Sequence, residues 1–121
     1  MAATFILFSV DAQAAELVAA YSFDSVSGST TPDVSGKGSS LTLANGAQTS
    51  TGRYALGMAF DGANDTLVAP NYNPLLNLTG GFTLSAWINP RSNNSWQMII
   101  NKPYTSQHSP PYFDWSMHRQ S

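Results

Sequence analysis

The sequence predicts an all-β domain, an antiparallel β-sandwich of the jelly-roll type. Three observations carry that prediction. Short runs alternate apolar and polar residues with period two. Gly, Pro, Asn and Ser collect between those runs as turn chemistry. No stretch of ten or more residues shows helical spacing. The chain has 121 residues, room for one domain, and 42% hydrophobic residues, enough for a core. Charged residues make up only 10%, against about a quarter in an ordinary soluble domain, so Ser, Thr, Asn and Gly must supply the polar surface.

The segment 1–14 comes first. An apolar run over 2–10 leads into Ala12-Gln13-Ala14, a small-x-small pattern of the kind signal peptidase cuts. A basic start is missing and Asp11 follows the apolar run directly. The segment reads as the remnant of a signal peptide, with an ordinary first strand or a disordered leader as the alternative, and the domain proper then spans 15–121. Export to a secreted or cell-surface location follows from that reading. No apolar run approaches the ~20 residues of a membrane span.

Leu17, Ala19, Tyr21 and Phe23 share one face of a first strand that Asp24 ends. Residues 25–40 are nearly all Ser, Thr, Gly, Pro and Asp and make a long loop. Residues 41–43 form a short strand, and Asn45-Gly46 is the strongest hairpin dipeptide in the chain. Over 53–60, Leu56, Met58 and Phe60 face one way and small residues the other. Residues 61–65 (Asp-Gly-Ala-Asn-Asp) make a tight acidic turn before a strand at 67–69, and 74–78 fits one helical turn inside the loop 70–79.

The strand over 82–89 is the organising one. Phe82, Leu84, Ala86 and Ile88 point one way and Thr83, Ser85, Trp87 and Asn89 the other, between Gly80-Gly81 and Pro90. Both faces are mostly apolar or small, which predicts a strand covered on both sides, with Phe82 and Trp87 in the core. A turn at 91–95, a strand at 96–101, an irregular loop at 102–111 and a last strand at 112–117 complete the chain. It stops four residues after Met117 with no returning strand, which reads as a domain cut off at its C-terminus.

Taken in order, Leu17-Val18-Ala19-Ala20-Tyr21-Ser22-Phe23-Asp24, Asp33-x-Ser35-Gly36-x-Gly38, Gly57-x-Ala59-Phe60-Asp61-Gly62-x-x-Asp65, the run from Phe82 to Pro90 and the run from Trp96 to Lys102 resemble the laminin G-like, concanavalin A-like jelly-roll modules of secreted bacterial proteins. The resemblance covers 17 to about 115 and only the N-terminal part of that domain. It implies two antiparallel sheets packed face to face. It does not choose among lectins, glycan-binding modules, hydrolases, lyases and adhesion domains.

The residues narrow the choice. Glycoside hydrolysis needs two carboxylates flanking the bond, yet the one glutamate is Glu16 and the Glu-x-Asp-x-x-Glu strand of the related hydrolases is absent. No Gly-x-Ser-x-Gly turn presents a nucleophile, and His108 and His118 read as solvated. A net charge of −2 argues against nucleic acid. With no cysteine, disulfides and thiolate metal sites are excluded. Calcium takes six to eight hard oxygens, which Asp61, Asn64 and Asp65 with help from Asp33 could begin to supply; turn capping by the same side chains is the alternative. Sugars need an aromatic face beside polar side chains, and the candidates are Tyr72 with Asn73, Trp96 with Arg91 and Asn94, and Tyr104. The expectation is a non-catalytic carbohydrate-binding or adhesion module of an exported protein. A polysaccharide or glycan is its partner, calcium is a structural ion if one is used, and further domains of a larger secreted protein are expected. The rivals are an enzyme whose catalytic strands lie beyond Ser121 and a protein–protein adhesion domain.

Overall fold

The computed structural model describes residues 4–11, 14–69, 73–78, 80–92, 96–103 and 113–120, with 4–11, 14–15 and 113–114 described by their backbone. The described chain is built of strands with a single 3-10 turn: β1 (Thr4–Asp11), β2 (Ala14–Tyr21), β3 (Thr30–Thr31), β4 (Leu41–Ala44), β5 (Gln48–Thr51), β6 (Leu56–Ala59), β7 (Thr66–Val68), the 3-10 turn Pro74–Leu76, β8 (Gly81–Trp87), β9 (Gln97–Pro103) and β10 (Phe113–Arg119). All pairings are antiparallel, in four small sheets ordered β2-β1-β8, β3-β4-β7, β5-β6 and β10-β9. The all-β class is as the sequence predicts; the sheets are small and do not close on themselves.

Residues 4–11, read from sequence as leader or first strand, form β1 at the centre of its sheet. It runs from Phe5↔Tyr21 to Asp11↔Ala14 against β2 and from Thr4↔Trp87 to Val10↔Gly81 against β8. Ala19 and Tyr21 of β2 enter the core with Met58, Ala47 and Trp115, joined by Phe23 two residues beyond the strand in the left-handed region, φ 65°. Val18 and Ala20 on the other face of β2 are buried as well. Burial of side chains as large as Phe23 and Met58 contributes roughly 2 kcal/mol each. Tyr21 keeps its hydroxyl satisfied at depth by donating to Ser39 C=O, 2.6 Å, and burial, then the nearby Asp33 charge, push its pKa far above the ordinary tyrosine range. Trp115 donates its indole N–H to Leu76 C=O, 2.9 Å, tying β10 to the 3-10 turn.

Three expectations are corrected. Asn45-Gly46 does turn the chain, with Asn45 at φ 62°, Gly46 at φ 119° and Ala47 N–H donating to Ala44 C=O at 3.3 Å. The flanking strands do not form a hairpin, because β4 pairs with β3 and β7 while β5 pairs with β6. Asn45 Nδ2 instead donates to Asn64 C=O, 3.0 Å, so the dipeptide is a corner between two sheets, anchored on the acidic turn. Second, β8 keeps its alternation but not its two covers: Leu84, Ala86 and Ile88 are half-buried, while Thr83, Ser85 and Trp87 are exposed. Third, Phe82 is 37% and Trp87 50% exposed, so neither is core. Two apolar-looking faces do not make a covered strand: the Thr83–Ser85–Trp87 face of β8 stays exposed.

Candidate functional site

Asp33 lies in the loop after β3 and is 8% exposed. Its carboxylate is engaged by the backbone: Oδ1 accepts the N–H of Ala20 at 3.0 Å and of Ser35 at 2.9 Å, and Oδ2 accepts the N–H of Ser39 at 3.1 Å. Burial alone would raise its carboxyl, but the Ser35 hydroxyl and these three amides together outweigh burial and hold it below the usual carboxylate range. Asp33 thus staples β2 to the loop 33–39.

The 61–65 turn is built differently. Asp61 Oδ1 accepts Ala63 N–H at 2.8 Å and Asp65 Oδ2 accepts Asp61 N–H at 2.8 Å, so each carboxylate caps its own turn. The Ala63 amide is the main reason the exposed Asp61 carboxyl sits below its usual range. The other oxygen of Asp65, Oδ1, is buried without a hydrogen bond and faces Gly46, where an added Cβ would stand 2.8 Å away. Asp33 does not join Asp61 and Asp65: among the described residues no three carboxylates or histidines cluster as metal ligands.

A cleft of about 1190 Å³ opens beside this turn. Apolar side chains line it (Leu41, Phe60, Leu67, Ile100 and Trp115 among them) together with Asp61, Asp65, Asn73, Arg91, Trp96 and Gln97. Trp96 enters β9 in the left-handed region, φ 61°, a conformation a bulky residue adopts only when its surroundings impose it. Its ring stacks on His118, centroids 5.1 Å apart and 30° between planes, and is still 66% exposed. The Arg91 side is braced through the next residue. Gln97 Nε2 donates to Ser92 Oγ at 2.8 Å, and Arg119 Nη1 donates to Ser92 C=O and to Gln97 Oε1, both at 2.8 Å. Asn73 also borders the cleft, but its amide serves the fold. Nδ2 donates to Ser39 Oγ at 2.6 Å and Lys37 C=O at 3.2 Å, and Oδ1 accepts Leu75 N–H at 2.9 Å as the cap of the 3-10 turn.

Of the predicted ligand-binding residues, the structure brings Asn73, Arg91 and Trp96 to one cleft with two predicted metal ligands, Asp61 and Asp65. Tyr72, Asn94 and Tyr104 lie outside the described residues. Sequence reasoning passed over a second group. Gly52 N–H donates to Ala55 C=O at 2.8 Å and closes a two-residue loop of Arg53 and Tyr54 between β5 and β6. Tyr54, 77% exposed, meets Trp87 edge to face at 5.9 Å. The Arg53 guanidinium stands 5.3 Å from the Tyr54 ring centroid and 5.5 Å from that of Trp87. Alternation over 53–60 reads as one strand, whereas β6 begins at Leu56 and leaves Arg53 and Tyr54 in the turn before it. Comparison with family models, with curated proteins and with solved structures finds no match to this chain.

Proposed function

We propose that the chain is a non-catalytic carbohydrate-binding or adhesion module of an exported protein, built as part of a laminin G-like, concanavalin A-like jelly roll. The observation that carries this reading is the cleft, where an exposed indole and a guanidinium stand at the edge of an apolar hollow. A sugar ring has an apolar C–H face and a rim of hydroxyls; Trp96 suits the first and Arg91 with Asp61 the second. The carboxylates here are poor candidates for glycoside chemistry. A general acid needs a raised carboxyl, and that of Asp61 at the cleft is lowered.

Calcium belongs to the same proposal in a supporting role. Asp61, Asn64 and Asp65 would hold the ion, and the hydrogen-bond-free Oδ1 of Asp65 is the feature of the turn that suits a hard cation. It would stiffen the rim of the cleft. No helix of the described residues is long and apolar enough to cross a membrane.

The test is a glycan array followed by calorimetric titration of the best hit with the full chain, Trp96→Ala and Arg91→Ala. Each substitution is expected to weaken binding ten-fold or more, about 1.4 kcal/mol. Binding that both variants retain at full strength would remove the cleft from the function.

A further inference from the structure

We infer that Arg53, Tyr54 and Trp87 form a second binding site, separate from the cleft, for an acidic saccharide, a sugar residue carrying a carboxylate. None of the three residues lines the cleft. They arrive from two sheets, Arg53 and Tyr54 on the β5–β6 loop and Trp87 at the end of β8. A contact between exposed aromatics of separate sheets is held by its own chemistry and not by the core.

The charge of the ligand follows from Arg53. Its guanidinium carbon stands 5.3 Å from the Tyr54 centroid and 5.5 Å from the Trp87 centroid, within the distance at which a ring quadrupole attracts a cation. A cation–π contact supplies no hydrogen-bond acceptor, so the N–H donors of the guanidinium remain to be matched. Among the described residues no carboxylate pairs with the Arg53 guanidinium. The acid anchored on the same loop, Asp24, accepts Leu56 N–H at 3.0 Å instead. An exposed guanidinium without an anion is matched by a carboxylate, which it can bind in the two-pronged manner. The exposed surfaces of Tyr54 and Trp87 then offer an apolar platform beside the charge, which suits the C–H face of a sugar ring. The choice of a sugar rests on the glycan-binding reading of the chain; the demand for negative charge rests on this cluster alone.

The loop is stiff enough to hold the arrangement. Gly52 N–H is bonded to Ala55, Leu56 N–H to Asp24, and a Cβ at position 52 would stand 2.3 Å from Leu56 C=O, so glycine is required there.

The experiment follows the three tryptophan indole N–H signals of the full chain by NMR, with the Trp87 signal assigned from Trp87→Phe. The probes are trigalacturonate, its methyl ester and a glutamate hexapeptide. The expected result is a saturable shift of the Trp87 signal with trigalacturonate, weakened at least ten-fold by Arg53→Gln and by raising the salt to about 0.5 M, and little response to the ester. Arg53 is exposed, so its replacement is expected to leave the fold intact. An unmoved Trp87 signal overturns the proposal, as does an equal response to acid and ester. An equal response to the peptide overturns the saccharide class. A shift of Trp96 alone discards this second site while the cleft reading stands.

Discussion

Two aspartates in similar sequence surroundings have opposite fates. Asp33 stands in a loop of Gly and Ser, Asp61 in a turn of Gly, Ala and Asn, and both carboxyls are held below the usual range. Asp33 is buried and gathers backbone N–H groups from positions 20, 35 and 39, so it joins parts of the chain up to thirteen residues apart. Asp61 and Asp65 bond only within their own five-residue turn. The number of distant amides that converge on a carboxylate, not the loop's composition, decides whether it is a piece of the architecture or a group left at the surface for a ligand.

The sharpest way to break this comparison is to remove each carboxylate in turn. Asp33→Ala leaves two buried N–H groups and a half-buried one without an acceptor and is expected to cost about 3 kcal/mol, read as a large drop in the urea midpoint. Asp61→Ala is expected to move that midpoint far less. Equal losses would mean that the local turn carries as much of the fold as the long-range staple, and the distinction would fail.

The pH dependence sharpens the same point with a smaller effect. A carboxyl whose pKa is lower folded than unfolded adds stability above its unfolded value, about 4, and that stability is lost as pH falls through the folded value. The Asp33 contribution is therefore expected in full at pH 6 and to fade below about pH 4. Urea midpoints for Asp33→Asn should fall less steeply over that acid window than those of the parent chain. Parallel curves would show that the Asp33 charge does no stabilising work beyond that of a neutral acceptor.

The strands were legible because period-two alternation survives packing, as in Ala19 and Tyr21 of β2 and in Leu84 and Ala86 of β8. What alternation does not contain is the second layer. Trp87 has the residue type of a core strand and half its surface in water, because coverage is a property of what lies opposite. Asn45-Gly46 shows the same limit: the dipeptide prescribes positive φ, and the structure obeys, but whether the strands beyond it pair depends on β6 and β7. For the site, Trp96 and Arg91 were legible as an aromatic and a cation beside a polar turn. Arg53 and Tyr54 were hidden because their partner Trp87 lies more than thirty residues away in sequence, in a different sheet.

The smallest expected effect concerns the 61–65 turn, and it tests the surface half of the comparison. If calcium binds the folded chain there, ten times its Kd raises the unfolding free energy by about 1.4 kcal/mol, and thermal melts in calcium and in chelator should differ by several degrees. Asp65→Asn should abolish the difference, since it removes the charge behind the oxygen that has no hydrogen bond. Gly46→Ala should reduce it, because a methyl group at 2.8 Å from Oδ1 forces that carboxylate to move. Melts that coincide with and without calcium would leave Asp61 and Asp65 as caps of their own turn. The stiffness of the cleft's rim would then come from the Asn45–Asn64 hydrogen bond and the Ser92–Gln97–Arg119 brace alone.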